Sequence, residues 1–181
     1  MRGLLIVDVQ NDFCPGGALA VPGGDKVVPV INRLVSRFEV IVASKDWHPP
    51  QTVHFKKWPP HCVQNTAGAE FHPKLDTTKI QEIFLKGTRD IDDGYSAYEA
   101  TNLDLEEYLK KKNVTELYIA GLTTDYCVKT SALDAAGKGF KTYVVTDAIA
   151  AVNVKPQDGN NALDEMQRSG ITLVDSSRIQ F

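Results

Sequence analysis

Short runs of branched apolar residues return along this chain with amphipathic stretches between them, and that alternation constrains the fold more than any other feature. "GLLIVDV" (3–9) is unbroken in apolar residues up to Asp8, the pattern of a strand covered on both faces. "EVIVASKD" (39–46), "IFLKG" (83–87), "TELYIAGL" (115–122), "FKTYVVTDA" (140–148) and "ITLVD" (171–175) repeat it. Helical spacing fills the gaps: 23–38 with Asp25 as N-cap, 102–113, 125–139 ended by its glycines, and 156–170. Strand and helix in turn predict an α/β fold, a three-layer architecture whose six-stranded parallel sheet carries helices on both faces. The 181 residues fit a single domain, 1–181, with one sizeable core.

In such sheets the site lies beyond the carboxyl ends of the strands. Asp8 ends the first strand, Asp46 the second and Lys86 the third, while the fourth runs into "TTDYC". Four strands thus deliver a polar or reactive group to one end of an apolar sheet. Cys127 falls where the fourth strand hands over to a helix. The free N–H groups and positive dipole of a helix start favour a thiolate there. An inert core thiol is an equal reading of the local sequence. A nucleophile needs a proton acceptor. All four His lie between 48 and 72, so Asp8 is the better base, shielded at a strand end where its pKa rises toward neutrality. Lys86 supplies a fixed positive charge beside both.

The stretch 47–82 breaks the alternation. It is rich in Pro, His and Trp, and a loop of this length in a compact domain is functional or holds structure of its own. Asp46 and His48 point to one side of an extended segment. His54 folds back across a Pro-Pro turn, and His61 follows another Pro pair. A carboxylate with imidazoles suits Zn²⁺, with Fe²⁺ or Mn²⁺ as alternatives, and five prolines between 49 and 73 stiffen the loop. Surface histidines beside tryptophans are the competing reading. The Gly-rich "CPGGALAVPGGDK" (14–26) lacks the spacing of a phosphate-binding loop and reads as turns, with Cys14 structural.

The formal charge of −3, without a long basic run, argues against nucleic acid and an anionic membrane surface as partners. No apolar run approaches the roughly 20 residues of a bilayer span. The N-terminal apolar run is too short for a secretion signal and meets Asp8 at once, so the chain reads as mature protein. Three cysteines at scattered spacings make no disulfide framework, which points to a reducing cytoplasm.

The segments "VDVQNDF", "KDWHP", "WPPHCVQNTAGAEFHP", "LKGT", "YSAYEATNL" and "GLTTDYCVKTSALDA" occur in the order seen in the isochorismatase-like cysteine hydrolases. The chain resembles the nicotinamidase/pyrazinamidase branch of that superfamily, from residue 4 to about 175. The resemblance implies the isochorismatase-like hydrolase fold and a catalytic triad of Asp8, Lys86 and Cys127. It implies one divalent metal ion on Asp46, His48, His54 and His61, with water completing its shell, so that the insertion at about 47–82 is a metal-binding loop. It implies a cis peptide at Leu122–Thr123, with the N–H groups of Thr123 and Cys127 facing an oxyanion, and a pocket lined by Phe13, Trp58 and Tyr95. Tyr126 stands at the pocket rim where some relatives have His, and Thr123 where relatives often have Ala.

The implied reaction is hydrolysis of nicotinamide to nicotinate and ammonia through a thioester, in NAD salvage, with pyrazinamide as a second substrate. Three rivals follow from the residues: another amidase or ureidohydrolase of the superfamily, against which the metal loop speaks; a silent ligand-binding homologue, against which the intact triad speaks; and a redox protein, which no C-x-x-C supports. The sequence leaves association into homo-oligomers open.

Overall fold

The computed structural model describes residues 1–180. Its six strands are β1 (Arg2–Val7), β2 (Val40–Asp46), β3 (Glu82–Lys86), β4 (Glu116–Leu122), β5 (Lys141–Ala150) and β6 (Thr172–Val174). They form one sheet in the order β3-β2-β1-β4-β5-β6, and every pairing is parallel. The helices are α1 (Val27–Leu34), α2 (Leu105–Lys111), α3 (Lys129–Gly137) and α4 (Asp158–Arg168). The six-stranded parallel architecture expected from the alternation is the one observed.

Both faces of the sheet are apolar because side chains alternate across a strand. Leu4 and Ile6 of β1 pack with Val27, Ile31 and Leu34 of α1 on one face. Leu5 and Val7 pack with Leu105 and Leu109 of α2, Ala132 of α3 and Met166 of α4 on the other. Removing a Leu or Ile side chain from water contributes about 1.5–3 kcal/mol, so a fully covered strand such as β1 anchors both layers. The face bearing α1 is completed by the 47–82 stretch, which buries Cys62, Ala69 and Leu75 in the same cluster. That stretch holds two short 3₁₀ turns, Val53–Lys56 and Ala67–Ala69.

Three local expectations need correction. Asp25 does not cap α1. It lies inside a 3₁₀ turn, Gly24–Lys26, that leads into the helix, and its side chain makes no cap bond. The helix expected at 125–139 begins as a π-helical turn, Thr124–Val128, and becomes α-helical only at Lys129. β5 runs two residues beyond the expected 148.

The chain winds from β1 outward to β3, then returns to β4 beside β1 and winds outward to β6. The crevice of such a sheet opens where that direction reverses, beyond the ends of β1 and β4. The register sets Asp46 beside Lys86, and Val7 beside both Ser44 and Gly121. Gly121 has φ +118 and sits so close to β1 that a Cβ would lie 2.0 Å from the Val7 carbonyl oxygen, so no larger residue fits. The register with β5 shifts at this point, and the Leu122–Thr123 peptide that follows is cis, as expected. Among the described residues no helix is long and apolar enough to cross a membrane.

Candidate active site

Asp8 leaves β1 with φ +48, a backbone turn at the strand end, and its buried side chain meets Ser44 and Lys86. Its Oδ1 accepts from Ser44 Oγ at 2.6 Å and its Oδ2 lies 2.6 Å from Lys86 Nζ. Lys86 is fully buried. It donates to the Gly94 carbonyl at 2.7 Å and to Cys127 Sγ at 3.4 Å, and it also pairs with Asp46 Oδ1. Four acceptors surround three N–H groups, so the ammonium is shared and held in place. Cys127 closes the set, with Asp8, Asp46 and Cys127 each offering an atom within 4.8 Å of the other two.

Burial is the dominant electrostatic influence here, and it acts differently on each group. It pushes the Asp8 carboxyl up, and the charge of Lys86 only partly offsets this. It pushes Asp46 up as well, but Lys86 and the imidazoles of His48 and His61 outweigh it and hold that carboxyl well below its ordinary range. It pushes Lys86 down, while Asp46, Asp8 and Cys127 more than restore the charge. Burial pushes the Cys127 thiol well above its ordinary value against the pull of Lys86. This direction runs against the thiolate that a helix start favours: desolvation, the largest influence, acts to keep the proton on the Cys127 sulfur, beside a carboxylate whose proton affinity is also raised. Burial likewise pushes up the Cys14 thiol, to about 11, and the Cys62 thiol.

His48, His54 and His61 converge on the other side of Asp46, all buried, with ligand atoms within 4.8 Å of one another. Each Nδ1 already has a partner: His48 the Gly87 carbonyl at 3.0 Å, His61 the Pro59 carbonyl at 2.7 Å, and His54 Asp92 Oδ1 at 2.9 Å. Those partners only accept, so each Nδ1 donates outward and each Nε2 is left facing the interior of the cluster. The Nε2 atoms of His48 and His61 lie 3.5 and 3.7 Å from Asp46 Oδ2, and His48 Nε2 is buried with no hydrogen-bond partner. Three clustered imidazoles with a carboxylate oxygen close to two of them fit a divalent cation, and Asp46 joins this set to the triad, with Oδ1 on Lys86 and Oδ2 near His48 and His61.

The crevice wall contains Phe13, Trp58, Tyr95 and Tyr126, all expected from the sequence, with Thr123 and Cys127 at its floor. Leu19 and Val152 also line it and were not foreseen. Trp58 meets Tyr126 edge-on with ring centroids 4.9 Å apart. Several supporting residues escaped the sequence reading. Gln10 accepts from Asp46 N at 2.9 Å and donates to the Asp46 and Ala69 carbonyls, both at 2.8 Å. Asp12 accepts from Cys62 N at 2.8 Å, fixing the residue next to His61. With Asp8 they stand two apart in "DVQND", and that spacing was the available signal.

A cysteine held between a carboxylate and a lysine at the switch point of a doubly wound parallel sheet, next to a carboxylate–imidazole cluster, is a candidate hydrolytic site on a parallel α/β fold. The Isochorismatase domain family matches residues 2–178, and the chain belongs to that family. It is 43% identical to the nicotinamidase of Escherichia coli strain K12, over 95% of this chain and 93% of that one. The pyrazinamidase of Pyrococcus horikoshii, solved in complex with zinc, superposes with a TM-score of 0.87 at 42% identity, covering 96% of this chain and 98% of that one. A protein of L. infantum solved in complex with nicotinate superposes with a TM-score of 0.91 at 35% identity, covering 98% and 93%.

Proposed function

We propose that the protein hydrolyses nicotinamide to nicotinate and ammonia, and pyrazinamide by the same route. The observation that carries this reading is the juxtaposition of the buried Asp8–Lys86–Cys127 set with the clustered imidazoles of His48, His54 and His61 beside one aromatic-lined crevice. The E. coli, P. horikoshii and L. infantum relatives support it by the amide or acid they act on or hold.

As the Cys127 sulfur attacks the carboxamide carbon, its proton passes to Asp8, whose raised proton affinity suits the transfer. The carbonyl oxygen becomes an oxyanion facing the N–H groups of Thr123 and Cys127, our candidates for its stabilisation. Protonated Asp8 returns the proton to the departing nitrogen. The C–N bond breaks, ammonia leaves, and a thioester on Cys127 remains. Asp8 then takes a proton from water, whose oxygen attacks the thioester. The C–S bond breaks, the proton on Asp8 restores the thiol, and the acid leaves as nicotinate after losing its own proton to solvent. Lys86 stays charged throughout and keeps Asp8 and Cys127 in register. Asp46, His48, His54 and His61 would hold the cation, Zn²⁺ before Fe²⁺ or Mn²⁺, which supplies a Lewis-acidic anchor for the pyridine nitrogen.

Nicotinate formed in this way re-enters pyridine nucleotide synthesis, and three free thiols suit a cytoplasmic setting. The test is ammonia release from nicotinamide by wild type and by Cys127→Ala. Wild type is expected to turn over. The variant is expected to bind nicotinamide and release no ammonia. Near-wild-type turnover in the variant would sink the covalent route.

A further inference from the structure

The loop between β3 and the 3₁₀ turn at Ala97–Glu99 carries "RDIDDGY", an acidic stretch to which neither the triad nor the four candidate ligands belong. Two of its carboxylates reach the turn that carries His54. Asp90 Oδ1 accepts from Val53 N at 2.7 Å. Asp92 does more. Its Oδ1 accepts from His54 Nδ1 at 2.9 Å and from the Tyr95 hydroxyl at 2.7 Å, and its Oδ2 accepts from Lys57 Nζ at 2.7 Å. Tyr95 OH in turn accepts from Trp58 Nε1 at 3.2 Å. A single carboxylate oxygen thus orients one imidazole of the cluster and, through a phenol, two aromatic walls of the crevice. The same loop gives the Gly94 carbonyl to Lys86. Gly94 has φ +83, and a Cβ there would lie 2.5 Å from Gly87 N, so the loop's path past the lysine is tightly set.

We propose that Asp92 is a positioning residue that couples the cation site to the substrate pocket, fixing the tautomer and aim of His54 while holding Tyr95 and Trp58 where a substrate ring must sit. The proposal rests on the reading of His54 as a cation ligand and of the crevice as the nicotinamide site. A charged outer partner makes the imidazole a better donor, and loss of such a partner typically weakens metal binding about 10- to 100-fold. A carboxylate that only braced a surface loop would leave cation affinity alone. Because Oδ1 serves both arms, a disturbance on one side is transmitted to the other through a shared atom.

The experiment compares zinc-loaded wild type, Asp92→Ala, Asp92→Asn and Tyr95→Phe. Zinc affinity is read by competition with a chromogenic chelator, and KM and kcat for nicotinamide are read at saturating zinc. Asp92→Ala is expected to raise the zinc Kd about 10- to 100-fold and KM about three- to tenfold, the size of one lost hydrogen bond. Its kcat should change less than its KM. Tyr95→Phe should reproduce the KM rise and, because it cuts only the pocket arm of the shared oxygen, shift the zinc Kd in the same direction but by less than Asp92→Ala does. Combining Asp92→Ala with Tyr95→Phe should raise KM no further than the larger single effect, because both cut the same link. Asp92→Asn keeps the shape and the acceptor but not the charge, and should weaken zinc binding even if the Ala variant fails to fold. Wild-type zinc affinity in both Asp92 variants overturns the proposal, as do strictly additive KM effects. The zinc arm needs no substrate. A wild type that binds zinc yet leaves nicotinamide intact would therefore sink the proposed activity and not this coupling.

Discussion

At the scale of single residues the site turns on how burial is distributed over three charges. Asp8 and Cys127 both have raised proton affinities, and Lys86 keeps its charge through Asp46. One proton can therefore move between sulfur and carboxylate while the net charge of the cluster stays fixed. Asp8→Asn keeps the shape and the bond from Ser44 but removes the base. Acid–base groups contribute about 10²- to 10⁴-fold, and in the proposed route Asp8 serves both halves of the reaction, so kcat/KM for nicotinamide is expected to fall at the upper end of that range or beyond. Lys86 keeps Asp46 as counter-ion, so the circular dichroism spectrum should hold. A loss under tenfold would place the base elsewhere. Asp8 and Lys86 were legible in the sequence because each is the first polar group after an apolar run, and Asp46 because it ends such a run at the entry to the Pro- and His-rich stretch. The state of Cys127 was not, since a helix start says nothing of how deeply its first turn is sunk. Asp92 and Ser44 were not legible either. Each meets its partner across more than 30 residues of chain, and no local pattern marks them.

At the scale of elements, the helices form for reasons visible in sequence and stay because of what they cover. α2 is only seven residues long, too short to persist alone. Asp104 caps it, accepting from Glu107 N at 2.9 Å, and Glu106 with Lys110 and Lys138 ties its outer face. Leu105 and Leu109 point into the layer below the sheet and are almost wholly buried. Leu109→Ala removes a large side chain from a packed cluster and should cost about 2–5 kcal/mol, whereas Asp104→Ala should cost about 1 kcal/mol. Urea unfolding of the two variants reads the difference, and equal losses would show that α2 is held by its cap more than by its packing. The least legible element is the stretch 47–82. Its turns follow no period because they are shaped from outside: by Asn11 on the Ala67 carbonyl, Gln10 on Ala69 and Asp12 on Cys62. α1 was misjudged at its start for a related reason. A 3₁₀ turn runs straight into it, with no side-chain cap where Asp25 was expected to supply one.

At the scale of the whole molecule, the sheet order brings two chemistries to one crevice. β1 and β4 deliver Asp8 and the Cys127 turn, while β2 and β3 deliver Asp46 and Lys86, and Asp46 faces both sets. That division makes the role of the cation separable by experiment. Asp46 is a poor position to probe, because removing it also strips Lys86 of a partner. His54 is a better one, since its bonds run outward to Asp92 and away from the triad. If the ligand set serves only to stiffen the 47–82 stretch, His54→Ala or chelation should lower thermal stability and harm every amide alike. If it anchors the pyridine nitrogen, the loss should fall on substrates that have that nitrogen. Nicotinamide and benzamide differ by a ring N in place of C–H and present the same carboxamide to Cys127. A polar site rejects an analogue that lacks the partner atom far more strongly than an apolar pocket does. The metal-loaded enzyme is therefore expected to favour nicotinamide steeply. In His54→Ala, or after chelation, the ratio of kcat/KM for the two amides should collapse through loss of nicotinamide turnover, while the slow benzamide rate persists and reports an intact triad. Metal analysis of the wild type should find about one divalent ion per chain, as befits one four-ligand site. An unchanged ratio would demote the ligand set to a structural clamp and leave the aromatic wall as the sole means of orienting the ring.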